Sequence, residues 1–261
     1  MPTTDPFTFT TERSDRFHRA YAAGGLQGRL YAEAFGPERP AEVDAASGCT
    51  WQVLGEMVTG LRLRPDELLV DLGCGRGGTG LWLARALSAR LVGVDVSPEG
   101  VAMAAERAAA FVAPGRARFE VGAFESTGLP DACADGVVSM DALPLSPDRT
   151  AALRELARIL RPGARAVFTS TVLGPSHPGH ERIRPWPDSL AEAGLTVENA
   201  VRQSGVERAW GRLHALWERD EAELRATIGD QATDDLLAEG RALRPLLDHL
   251  VTTIYTVRAG S

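Results

Sequence analysis

Hydrophobic and polar positions along the chain follow two alternating rhythms. Short apolar runs have the length and composition of strands: Leu68 to Leu72, Arg90 to Asp95, a third near Arg118 to Val121, Asp135 to Asp141, and Ala166 to Leu173. Between them, apolar residues recur every three or four positions. These stretches predict a helix from about Gly80 to Ser88, one capped and opened by Ser97-Pro98, and one opened by Ser146-Pro147. In the last, Leu153, Leu156 and Leu160 share a face, and Arg161-Pro162-Gly163 closes it. Strands alternating with helices of this length predict an α/β, doubly wound, mostly parallel sheet covered on both faces.

The flanks break the rhythm. Residues 1–15 are polar, rich in Thr and Pro, and read as a disordered tail. Residues 16–62 read as an N-terminal helical lid: a helical pattern from Phe17 to Phe35 interrupted at Gly24-Gly25, a loop at Gly36-Pro37 and Pro40, then a helix with Trp51, Leu54, Met57 and Leu61 in register. The sheet-forming core spans 63–205. Its end comprises a loop from Gly174 to Pro187, a short helix over Asp188 to Glu192 and a strand from Leu195 to Val201. Residues 206–250 form a helical insert, one stretch carrying Trp210, Leu213, Trp217, Leu224 and Ile228 and a second carrying Leu236, Leu243, Leu247 and Leu250. The insert exceeds what a crossover needs and serves either as sheet cover or as a cap over a substrate cavity. Residues 251–261 supply a β-branched last strand, Val251 to Val257. No internal repeat is present.

Composition narrows the function classes. The 261 residues are 44% hydrophobic and 24% charged, enough for one large domain with a cap. Net charge is -7, and the 28 basic residues, all arginine, are scattered, which argues against nucleic-acid and membrane-surface partners. Three widely spaced cysteines, Cys49, Cys74 and Cys133, argue for a reducing compartment and against a disulfide frame or a zinc ribbon. The start Met-Pro-Thr-Thr-Asp-Pro-Phe has no leader pattern, and no apolar stretch approaches the roughly 20 residues of a bilayer span. A soluble, cytoplasmic protein is expected, with a homo-oligomer left open.

The candidate chemistry begins at Leu68. After that apolar run, glycines at 73, 75, 77 and 78 allow positive φ and keep side chains clear of a ligand. Gly73, Gly75 and Gly78 satisfy Gly-x-Gly-x-x-Gly, a weak pattern that pyrophosphate-binding enzymes also use. Asp71, two residues before the first glycine, would repel a pyrophosphate and suits a ligand with an ammonium group. Asp95 follows 24 residues after Asp71, close to the roughly 20-residue interval to a ribose-binding acid.

The spacing Asp-x-Gly-x-Gly-x-Gly resembles the first motif of class I S-adenosylmethionine-dependent methyltransferases. Val-Asp-Leu-Gly-Cys-Gly-Arg-Gly, Gly-Val-Asp-Val-Ser, Gly-Leu-Pro-Asp and Leu-Arg-Pro-Gly occur in the family's order, so the resemblance covers residues 68–173. It implies a Rossmann-like sheet with an antiparallel last strand and S-adenosyl-L-methionine as cofactor. The glycine turn (Asp71, Gly73, Cys74, Gly75, Gly77) would hold the methionine part and Asp95 with Val96 the ribose. Ala123 and Phe124 stand where many relatives carry an aspartate for adenine, which leaves adenine to backbone bonds and an apolar wall. Ser47, Gly48 and Met140 complete the implied cofactor set.

A narrower similarity to phosphoethanolamine methyltransferases rests on Phe35-Gly-Pro, Ala46-Ser-Gly-Cys-Thr50 and the segment after Asp141. That group uses a lid tyrosine and a histidine after the fourth strand. Tyr21 and Tyr31 are the tyrosines available, but Leu143-Pro-Leu-Ser146 supplies no histidine, so the group's substrate and base do not transfer.

Other candidates follow from the residues. Asp141, at the carboxyl end of the fourth strand, suits either the cofactor's ammonium or the acceptor; its alternative is a helix cap. His177 and His180 flank Pro178-Gly179 and offer a general base, with half a metal site less favoured because no acid or Cys completes it. No metal is expected. His18, His214 and His249 lie in amphipathic helices and read as surface residues, and Trp51, Trp186, Trp210 and Trp217 as core or as acceptor-pocket lining. The expectation is methyl transfer to a small, partly apolar acceptor of specialised metabolism. The alternative is a methyltransferase-fold protein that catalyses a non-methylating cyclisation or rearrangement. A nicotinamide oxidoreductase and a non-catalytic binding module rank below both.

Overall fold

The computed structural model describes residues 11–260. The part of the expected tail before residue 11 lies outside them. Residues 11–15 are helical instead, because Glu12 and Arg16 pair at 3.7 Å and Ser14, His18 and Tyr21 turn one face inward. Helices α1 (Thr11–Ala22) and α2 (Leu26–Phe35) flank a short 3₁₀ turn, Ala23–Gly25. Helix α3 (Trp51–Leu61) starts where the Thr50 hydroxyl accepts the Val53 N–H at 3.4 Å.

Strand β1 (Leu68–Leu72) leads through the glycine turn into α4 (Gly78–Leu87), then β2 (Arg90–Asp95), α5 (Pro98–Arg107) and β3 (Ala117–Val121). Ser97 caps α5 by accepting the Gly100 N–H at 3.0 Å. Strand β4 (Ala134–Ser139) is followed by α6 (Arg149–Ile159) and β5 (Leu160–Leu173). Two expectations are corrected here. Asp148, not Ser146, caps α6 by accepting the Ala151 N–H at 3.0 Å, while the Ser146 hydroxyl goes to Glu125. Arg161-Pro162-Gly163 does not end the helix, since Leu160 is already extended and begins a 14-residue strand.

The remainder runs α7 (Trp186–Glu192), β6 (Leu195–Arg202), α8 (Val206–Arg219), α9 (Glu221–Ile228), α10 (Asp230–Leu243), a 3₁₀ segment over Arg244–His249 and β7 (Leu250–Ala259). The insert has three helices rather than two. Its first stretch breaks at Asp220, and Gly229 (φ +81°) separates α9 from α10.

The seven strands form one sheet in the order β3-β2-β1-β4-β5-β7-β6, with β7 antiparallel to both neighbours. Alternate residues of the central strands face opposite layers. Val70, Val92, Val137 and Phe168 pack under α6 and α7, while Leu69, Leu91, Val138 and Val167 pack under α3 and α4. A third apolar cluster joins Leu26, Leu30, Tyr31 and Phe35 to Val206, Leu213, Trp217 and Leu236. Helices α1 and α2 therefore share a core with the C-terminal insert, while α3 belongs to the sheet. The order reverses at β1 and β4, which places a crevice at their carboxyl ends.

Candidate functional site

That crevice opens into a cavity of about 850 Å³ between the sheet and the joined helices. Gly73, Gly75 and Gly77 turn the chain at φ +73°, +49° and +75°, and the Gly73 and Cys74 N–H groups both donate to Val94 O, at 2.8 and 3.1 Å. A Cβ on Gly73 would lie 2.4 Å from that of Ala142 and 3.0 Å from the Phe124 ring, so only glycine fits there.

Two carboxyls bracket the turn. Asp71 is 2% exposed, and its Oδ2 accepts the Gly80 N–H at 3.0 Å. Burial pushes this carboxyl up to about 7, against the lowering effect of Gly80, and the charge of Asp95 adds to the rise. An entering cation would favour the ionised form. Asp95 accepts the Gly75 N–H at 2.7 Å through Oδ2 and the Ser97 N–H at 2.9 Å through Oδ1. A carboxylate has about four acceptor positions, so both oxygens keep capacity toward the cavity they line.

Helix α1 lies across the turn. A Cβ on Gly75 or on Gly100 would come within 2.9 Å of the His18 ring, and Asp15 accepts from the Ser97 hydroxyl and, at 3.4 Å, from the Glu99 N–H. His18 is thus buried, contrary to the surface reading, and burial lowers its pKa against the pull of Asp95. His214 is also buried, between Trp210 and Trp217 at ring distances of 6.1 and 5.2 Å, and burial pushes it down to about 4. His249 stays near the surface and bonds Ser176 at 2.9 Å.

Of the implied cofactor residues, Asp71, Gly73, Cys74, Gly75, Asp95, Val96, Ala123, Phe124, Met140 and Ser47 line the cavity; Gly77 and Gly48 do not. Gly77 precedes α4 in a left-handed conformation. Gly48 donates its N–H to Asp141 Oδ2 at 2.7 Å, and its carbonyl accepts from Gln203 at 2.7 Å. Ala123 and Ser126 exchange backbone bonds, both 3.2 Å, around the Phe124 ring.

Among the catalytic candidates, Asp141 and Tyr31 line the cavity, whereas Tyr21, His177 and His180 do not. Asp141 stands at φ +51° and also accepts the Thr169 hydroxyl at 2.7 Å; burial raises its pKa against both bonds. The Tyr21 hydroxyl donates to Asp44 at 3.0 Å and accepts from Arg39 at 2.7 Å. His180 Nδ1 meets Leu173 O at 2.8 Å, and His177 Nδ1 accepts the Gly179 N–H at 3.0 Å, which makes the pair a turn. Trp186 and Trp210 line the cavity, Trp217 is core bonded to Gln27, and Trp51 is 47% exposed. Among the described residues no cluster of three or more His, Cys, Asp or Glu could hold a metal, and no helix is long and apolar enough to cross a membrane.

Glu239 was not among the sequence candidates. It projects from α10 into the cavity beside Leu243, and burial pushes its carboxyl up to about 7, opposed by Arg13 and reinforced by Asp235. The legible signal was its spacing: Glu239 stands three residues after Leu236 and four before Leu243, on an otherwise apolar stripe. Buried polar atoms without partners gather on the same cavity, at His18 Nδ1, Ser47 Oγ, Arg76 Nε and Trp186 Nε1.

The sequence pattern of a methyltransferase domain matches residues 70–168. An O-methyltransferase of Pyrenophora dematioidea is 30% identical over 64% of this chain and 62% of its own length, so the match leaves more than a third of that relative uncovered. The 27-O-demethylrifamycin SV methyltransferase of Amycolatopsis mediterranei (strain S699) is 31% identical over 65% of this chain and 72% of its own. The crystal structure of the 4+2 cyclase SpnF superimposes with a TM-score of 0.73, covering 95% of this chain and 97% of that one at 21% identity, which shows a shared fold.

Proposed function

We propose, for a chain that belongs to the class I S-adenosylmethionine-dependent methyltransferase family, transfer of a methyl group from S-adenosyl-L-methionine to a small, partly apolar acceptor. The observation that carries this reading is the pair Asp71 and Asp95 at the ends of adjacent strands, with the glycine turn between them, opening into the same cavity as the apolar cap.

The residues suit the cofactor. Asp71 would take its ammonium group, Asp95 the ribose diol and the Phe124 ring the adenine, with Ser47 Oγ and His18 Nδ1 as unpartnered polar atoms nearby. When bound, the cofactor supplies an electrophilic methyl group on a sulfonium. The chain's contribution is position and proton handling. Leu243, Leu246, Leu247 and Leu250 wall the acceptor end and exclude water, so orientation supplies much of the rate. Glu239, poised near neutrality, is the group suited to take a hydroxyl proton from the acceptor, and Tyr31 and Asp141 flank its path. Relatives named as O-methyltransferases support an oxygen acceptor, and the rifamycin-related name supports specialised metabolism.

Incubation with S-adenosylmethionine and a panel of phenolic, amine and prenylated acceptors tests the reading. S-adenosylhomocysteine and a methylated product are expected. A product of unchanged mass with cofactor unconsumed would favour cyclisation on this fold.

A further inference from the structure

Carboxyls line the cavity at several points: Asp71 in β1, Asp95 at the end of β2, Glu125 after β3, Asp141 after β4 and Glu239 on α10. The wall formed by Thr171, Val172, Ile183 and Trp186 differs in polarity. Arg149, the first residue of α6, lines the cavity and lays its guanidinium 4.4 Å over the Trp186 ring. Its Nη1 donates to Arg184 O at 2.9 Å, and among the described residues no carboxylate lies within ion-pair distance. Neighbouring Asp148 turns away to cap Ala151, and the nearby Arg184 pairs with Glu192 at 2.6 Å.

Trp186 strengthens the case independently. It is 2% exposed, lines the same cavity, and its indole N–H has no acceptor. Leaving a buried donor unmet is costly, and an oxyanion at this corner would remove that cost. Tyr255 adjoins the same corner, its ring 6.3 Å from that of Trp186. The corner thus holds donors and cations in a protein of net charge -7.

We propose that the acceptor carries an oxyanion (carboxylate, phosphate or sulfonate) on its apolar body, and that Arg149 over Trp186 seats it at the end of the cavity opposite the cofactor. The inference rests on the methyltransferase reading for the word acceptor, but not for the binding itself. A guanidinium held over an indole, with one nitrogen bonded to Arg184 O, keeps its remaining N–H groups for such a group, and an apolar surround strengthens the pairing.

Fluorescence titration of the full chain with two probes tests it: 8-anilinonaphthalene-1-sulfonate, and N-phenyl-1-naphthylamine, which lacks only the sulfonate. Both are run with and without S-adenosylhomocysteine, and decanoate is the competitor that defines the common site. The sulfonate should bind more tightly than its neutral twin, and Arg149→Gln should weaken it about tenfold while leaving the neutral probe within about twofold. Trp186→Phe, which keeps an aromatic ring and removes the N–H, should cost the sulfonate more than the neutral probe. Equal affinities in the unmodified chain, or parallel losses of both probes in Arg149→Gln, would overturn the proposal. If that variant fails to fold, salt dependence in the unmodified chain decides: screening should weaken only the sulfonate, and a flat response is contrary. Failure of S-adenosylhomocysteine to bind while these results hold would sink the methyltransferase reading and leave the anion seat standing.

Discussion

Asp141 Oδ2 accepts the Gly48 N–H at 2.7 Å across 93 residues of chain, while Asp141 Oδ1 accepts the Thr169 hydroxyl at 2.7 Å. One half-buried carboxyl therefore ties the segment between α2 and α3 to β5 at the end of β4. Hydrogen bonds to charged groups contribute about 1.5–3 kcal/mol, so Asp141→Ala should lower unfolding stability by about that much and loosen the cavity wall. Denaturant titration measures this. Gly48→Ala should act similarly, because its Cβ would meet Val206 at 2.9 Å and Asp141 at 3.1 Å.

Asp95→Ala should weaken S-adenosylhomocysteine binding by more than tenfold, about 1.4 kcal/mol. The substitution also strands the Gly75 and Ser97 N–H groups. Asp95→Asn, which keeps one acceptor oxygen, separates the two effects: it should restore stability more than affinity. Near-native affinity in Asp95→Ala contradicts the ribose assignment.

The raised pKa of Asp71 makes a signed prediction. Its folded value of about 7 lies above the unfolded carboxylate value, so between about pH 4 and pH 7 the folded state holds a proton that the unfolded state has lost. Stability from this group is present at low pH and falls as pH rises through that window; Glu239, also near 7, adds to the slope. Asp71→Asn should flatten its share. Binding of the cofactor's ammonium should ionise Asp71 and release a proton near pH 6 but not above pH 8, readable by calorimetry in buffers of different ionisation enthalpy. Equal heats across buffers at pH 6 contradict this.

Glu239→Gln should lower kcat about 10²-fold to 10⁴-fold with S-adenosylhomocysteine affinity unchanged. With Glu239 as base, the rate should rise with pH to a plateau above about 7, and the variant should lose that limb. A retained limb excludes Glu239.

The sheet was legible because its central strands are apolar runs, such as Leu68–Leu72, and its turns carry Gly and Pro. Asp71, Asp95 and the glycines were legible because a fixed chemistry demands fixed spacing. The cap was harder to read. Its core is built by pairing Leu30 and Tyr31 with Leu213 and Trp217, a contact that joins the two ends of the chain and leaves no local trace. His18 reads as an ordinary amphipathic residue until α1 is seen lying on Gly75. His177 and His180 had suggestive spacing, but their ring nitrogens serve their own loop. Arg149 gave no sequence signal, because its meaning comes from Trp186, which is remote in sequence.

Isothermal calorimetry of the full chain with S-adenosylhomocysteine tests the central claim most directly. One molecule should bind per chain, with an accompanying rise in melting temperature, and Asp95→Ala should weaken the binding. The absence of both heat and thermal shift at saturating ligand would contradict the assignment of this cavity to S-adenosylmethionine.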